Sequence, residues 1–169
     1  QAIQRVWSAL DRADRPVLLT GPPGSGKSSV LEALVSGSRI APIQWSGELI
    51  ETESMCVRHL ILSAGLPSDA TLDRLMAYFR RASVSPGQQR CHLVIDDAHC
   101  LPDAVFPLLD RLASHAQCRI LCVGESETLV RAADAGVLFS TVQLPPWSAE
   151  DVRLARHVAG LDPLSDAEI

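Results

Sequence analysis

Eight residues constrain this chain more than any others: Gly21-Pro22-Pro23-Gly24-Ser25-Gly26-Lys27-Ser28. They fit the pattern GxxxxGK[ST] and lie between an apolar run, Val17-Leu18-Leu19, and a helix expected over 28–35. A strand that feeds a glycine loop opening into a helix is the setting in which such a loop holds phosphate. Gly21, Gly24 and Gly26 let backbone N–H groups curl around anionic oxygens with no side chain in the way. A helix N-terminus adds its free N–H groups and its dipole. Lys27 offers a point charge to β- and γ-phosphates, and Ser28 offers a hydroxyl to Mg²⁺. Gly21, Pro22, Pro23, Gly24, Ser25, Gly26, Lys27, Ser28 and Ser29 are therefore the candidate nucleotide-binding residues, with Lys27 also a candidate catalytic residue.

A metal ion beside the phosphates needs a carboxylate at the tip of a neighbouring strand. Leu93-Val94-Ile95-Asp96-Asp97 supplies an apolar run and then two acids. Asp96, with Ser28, is the candidate metal ligand. Asp97 is the candidate base, or the residue that orients a water for attack on the γ-phosphate. The plain alternative is two solvated aspartates at a strand end, and the phosphate loop upstream argues against it. His99 follows two residues later, either incidental or a reporter of nucleotide state.

The rest of the chain alternates short apolar runs with amphipathic stretches. Helices are expected over 2–13, 28–35, 51–64, 70–82, from Pro102 to about 115, over 126–135 and over 148–159. Strands are expected at 17–19, 43–45, 91–95, 119–123 and 141–144. This order predicts an α/β fold with a mostly parallel sheet and right-handed crossovers. At 169 residues the chain is about one domain by length. With 15 Lys and Arg against 20 Asp and Glu, its net charge of −5 speaks against tight nonspecific duplex binding. No stretch is long and apolar enough to span a bilayer. Five scattered cysteines without a CxxC pair read as buried, reduced thiols of a cytoplasmic protein. The absence of an initial Met and the stop at Ile169 suggest an excised domain.

From Gly21–Ser28 through Leu93–Asp97 to a strand closing at Gly124, the chain resembles an AAA+ ATPase. More narrowly it is similar to the secretion-pathway ExeA/GspA group, above all to the N-terminal ATPase domains of DamX-type cell-division proteins. The residues behind this are Val94-Ile95-Asp96-Asp97-Ala98-His99, Val123-Gly124-Glu125-Ser126-Glu127-Thr128-Leu129, and Leu144-Pro145-Pro146-Trp147-Ser148-Ala149-Glu150-Asp151. The resemblance implies a three-layer P-loop NTPase with a five-stranded sheet ordered 5-1-4-3-2, a core over 1–147 and the start of a truncated helical lid over 148–169. It also implies ATP or ADP with Mg²⁺, adenine as the base, and slow hydrolysis. As partners it suggests a homo-oligomer and a protein of the cell envelope or division machinery, with any membrane contact through segments outside this chain.

Two departures from the family pattern bear on turnover. Most such ATPases carry Glu where this chain has Asp97. The stretch Ala135–Thr141, before the fifth strand, lacks the arginine used at AAA+ subunit interfaces. Arg131 is its nearest substitute, against an ordinary exposed helix arginine. Glu125 or Ser126 would face the γ-phosphate region, or Glu125 would cap the helix that follows. Three other readings stay open: a nucleotide-gated binding module with little turnover, a transposition-type DNA-associated AAA+ regulator, and, less well supported, a simple kinase.

Overall fold

A computed structural model describes residues 2–12, 14–37, 42–82, 92–146 and 148. Among the described residues five strands, β1 (Val17–Thr20), β2 (Ile43–Ser46), β3 (Leu93–Asp96), β4 (Ile120–Gly124) and β5 (Ser140–Gln143), form one sheet. Six described helices flank it: α1 (Ala2–Arg12), α2 (Lys27–Gly37), α3 (Glu53–Ser63), α4 (Leu72–Ala82), α5 (Val105–Ala116) and α6 (Glu127–Asp134). Every strand pairing is parallel. The strand order is β2-β3-β4-β1-β5, which from the other edge is the expected 5-1-4-3-2.

That order dictates where the helices lie. A right-handed crossover places its helix on one face when the chain moves one way along the sheet and on the other face when it moves back. Only the β1-to-β2 connection runs towards the β2 edge. Accordingly α2 shares a face with α1, where Val6, Trp7, Leu10, Leu31 and Leu34 are buried. The connections through α3 and α4, α5, and α6 all run the opposite way, and these helices cover the other face.

The central strands are apolar on both sides and still obey a period of two. Leu93, Ile95, Ile120 and Cys122 point into the α3–α6 layer. Val94, Leu121 and Val123 point into the α1–α2 layer. Three layers are thus fixed by a single alternation.

Local signals set the element ends. Thr52 caps α3 by accepting a hydrogen bond from Met55 N at 3.2 Å. The helix expected to start at Pro102 begins at Val105 instead, because Pro102 O first closes a turn with Val105 N at 2.9 Å. Gln117 ends α5 in the left-handed conformation. Of the described cysteines, Cys56, Cys118 and Cys122 are buried, whereas Cys100 is exposed, contrary to the all-buried expectation. Among the described residues no helix is long and apolar enough to cross a membrane. Trp147 and the helix expected over 148–159 lie outside the described residues apart from Ser148, as does almost all of the expected lid.

Candidate functional site

The glycine loop leaves the C-terminal end of β1 and runs into α2. Gly24 and Gly26 take positive φ values of 75° and 85°, a conformation open to glycine at little cost. Gly21 is needed for another reason. A Cβ there would sit 2.7 Å from Ser25 Oγ and 2.9 Å from Leu144 O. The loop therefore packs against the segment that leaves β5, and Ser25 is buried beneath it.

Within the loop the Lys27 ammonium donates to Gly21 O at 2.7 Å and to Pro22 O at 3.1 Å. These carbonyls hold the charge across the mouth of the loop. Ser25 N is closed onto Pro22 O at 3.1 Å, and the first helical bond of α2 runs from Val30 N to Gly26 O. Amides of Lys27, Ser28 and Ser29 lie before that bond and have no intrahelical acceptor. Pro22 and Pro23 carry no N–H and shape the loop without donating to it.

Asp96 closes β3. Its register follows from Ile95 opposite Cys122 and Leu19 opposite Val123. The carboxylate-bearing tip of β3 is thus level with the end of β1, one strand away across β4. The sheet brings the phosphate loop and both acids to the same edge, where ligands bind in open α/β sheets. Asp96 Oδ1 accepts from Asp97 N at 3.0 Å.

Asp97 adopts the left-handed conformation, φ 50° and ψ 41°. Asp tolerates this region better than most side chains do. Its Oδ2 accepts a hydrogen bond from Ser46 Oγ at 3.0 Å, so the tip of β2 holds the carboxylate. Next to it, Gly47 starts a 3₁₀ turn, Gly47–Leu49, packed onto the same peptide. A Cβ at Gly47 would stand 2.4 Å from Asp97 O. Ser46 and Gly47 were not singled out in the sequence. They follow the strand expected at 43–45, which in the structure runs on to Ser46.

Residues 98–100 form a second 3₁₀ turn, closed by Cys100 N donating to Asp97 O at 2.8 Å. The end of β4 supports it: a Cβ on Gly124 would meet His99 N at 3.3 Å and Ala98 Cβ at 3.5 Å. Arg131, expected either as an interface finger or as an ordinary exposed arginine, is part-buried and bonded within its own chain. Its guanidinium donates to the carbonyls of His99 and Leu101 and to Asp103 Oδ1. Glu125 and Ser126 follow β4 and are exposed. Among the described residues no side chain caps α6; the Glu125 backbone oxygen accepts from Thr128 N at 3.1 Å.

As oxygen donors, the Ser28 hydroxyl and Asp96 carboxylate suit Mg²⁺, which takes one or two protein ligands and keeps waters or phosphate oxygens for the rest. A glycine loop, a helix N-terminus and a lysine at its mouth suit a polyphosphate.

Fold and strand order together define an α/β domain of the P-loop NTPase class. The AAA domain family matches residues 10–131, most of the chain, and this chain belongs to that family. With that membership comes the coarse function of the class, nucleotide binding of the ATPase type. Among solved structures it is similar to PCH-2 of C. elegans, at 17% identity and a TM-score of 0.46, over 86% of this chain. The match spans 42% of that longer protein. No curated protein matches.

Proposed function

We propose that this chain binds ATP with Mg²⁺ and hydrolyses it slowly to ADP and phosphate, using the site at the C-terminal edge of the sheet. The observation that carries this reading is the Lys27 ammonium held across a phosphate-type loop, on the same sheet edge as Asp96 and Asp97. Loop amides and Lys27 bind and orient the phosphates. Ser28 and Asp96 would hold the Mg²⁺, which when bound neutralises phosphate charge. Asp97 orients the attacking water and accepts its proton, with its carboxylate aligned by Ser46. Adenine as the base and a role in cell-envelope or cell-division assembly, with a protein partner or a second copy of the chain, follow from the family resemblance. The chemistry of the site does not bear on them.

A second reading, a nucleotide-gated module with little turnover, draws on one observation. Arg131 is engaged within its own chain, and residues 135–141 carry no cation. An arginine finger is worth roughly 10³–10⁵ in rate, so a site without one is slow.

Phosphate release from MgATP, compared between the wild type and Asp97→Asn, separates the two. Hydrolysis predicts measurable release that falls by about 10²–10⁴ in the variant while MgATP affinity holds. Equal release from both proteins removes Asp97 from the chemistry. Binding without release in either favours the gated module.

A further inference from the structure

We infer that Arg131 is a positioning residue for Asp97: it fixes the turn after the two acids and so sets the backbone from which the Asp97 carboxylate reaches the site. This rests on the hydrolysis reading above.

The end of β4 packs against one side of the turn, and Arg131 binds its carbonyls from α6. Asp97 is in a left-handed conformation that most residues avoid. Residues 98–100 make one short 3₁₀ turn, closed by a bond from Cys100 N to Asp97 O. From there the chain passes through Leu101, which is fully buried, to the exposed Asp103.

Arg131 reaches this segment from α6. One guanidinium nitrogen donates to His99 O and another to Leu101 O, the latter at 2.5 Å. Asp103 Oδ1 receives Nε at 2.9 Å and Nη2 at 2.5 Å. A planar fork with several donors in fixed directions can satisfy two carbonyls and a carboxylate at once, which an ammonium cannot reproduce. The guanidinium also lies 5.7 Å from the centre of the buried Phe106 ring, so α5 backs it. Three parts of the fold are thereby joined: the 3₁₀ turn after β3, the start of α5 and α6. None of these contacts touches the phosphate loop. Disturbing them should alter the placement of Asp97 and leave nucleotide binding intact.

Phosphate release and calorimetric MgATP binding, measured on the 169-residue wild type, Arg131→Lys, Asp103→Asn, Asp97→Asn and the double variant Arg131→Lys/Asp97→Asn, test this. Radiolabelled ATP followed over hours makes the residual rate of Asp97→Asn readable. Arg131→Lys is expected to lower kcat about 10–100-fold, the scale of a sub-ångström to ångström misplacement, with KM and MgATP affinity within about twofold. Asp103→Asn, an exposed change that keeps the fold, is expected to lower kcat less and in the same pattern. In the Asp97→Asn background, Arg131→Lys is expected to cost nothing further, because the group it orients is gone. A purely structural arginine would instead lower thermal stability and MgATP affinity together, and its loss would multiply with that of Asp97→Asn.

Folded Arg131→Lys with unchanged kcat overturns the inference, and so does full multiplicativity. Should Arg131→Lys fail to fold, an unchanged kcat in Asp103→Asn overturns it. A wild type that binds MgATP without releasing phosphate defeats the hydrolysis reading itself, and this inference falls with it. A wild type that turns over normally while the Arg131 and Asp103 variants match it defeats this inference alone.

Discussion

At the residue scale, two positions shape the turn at the end of β3, Asp97 and Gly47. Asp97 stands in a left-handed conformation, and Gly47 lets the first 3₁₀ turn close onto its peptide. These two facts bear on the choice of Asp over the longer Glu. A short polar side chain tolerates φ above zero, and at this length its carboxylate meets the Ser46 hydroxyl. Gly47 has no such latitude, because an added methyl group would lie 2.4 Å from a backbone oxygen that cannot swing aside. Gly47→Ala is therefore expected to cost about 1–3 kcal/mol of stability, the usual range for overpacking. It is also expected to reduce phosphate release while MgADP affinity stays near that of the wild type. A denaturant midpoint and a nucleotide titration on the same sample check both parts. Unchanged stability would mean that the turn yields easily and does not hold Asp97.

At the scale of elements, periodicity and connection order carried most of the information. The phosphate loop, the two strand-tip acids and the buried strands were legible because each obeys a local rule: glycine where backbone must approach an anion, acids at a strand end, and short continuous apolar runs for strands buried on both faces. Boundaries moved by one to three residues where a turn competed, as at Pro102. What could not be read were the pairings between distant residues. Ser46 with Asp97 and Arg131 with the His99 and Leu101 carbonyls depend on the sheet order bringing their elements together. No spacing in the sequence encodes a contact of that kind. The buried cysteine on α3 was expected from the sequence. Burial, with a smaller contribution from Glu53, pushes the Cys56 thiol up from 9.0 to about 12. The folded thiol stays protonated where the unfolded one ionises. Its contribution to stability is complete below pH 9 and is lost as pH rises towards 12. Urea midpoints taken at pH 8, 9 and 10 should fall, and fall less steeply in Cys56→Ala. Parallel slopes in the two proteins would show that Cys56 is hydrated in the fold.

For the whole molecule, one topological fact organises everything else. The chain moves towards the β2 edge once, through α2, and away from it at every later crossover. This leaves β1 and β4 side by side in the middle of the sheet. The loop after β1, the tip of β3 and the residues after β4 then share a single edge. Membership of the AAA domain family accounts for that layout, and the arrangement of Lys27, Asp96 and Asp97 on it is what makes nucleotide hydrolysis the proposed activity. The most direct test is calorimetric titration of MgATP and MgADP into the wild type and into Lys27→Ala. The account predicts saturable binding of both nucleotides to the wild type, weakened at least about tenfold, or about 1.4 kcal/mol, when the ammonium is removed. Equal affinity in the two proteins, or no binding to the wild type at all, would contradict it.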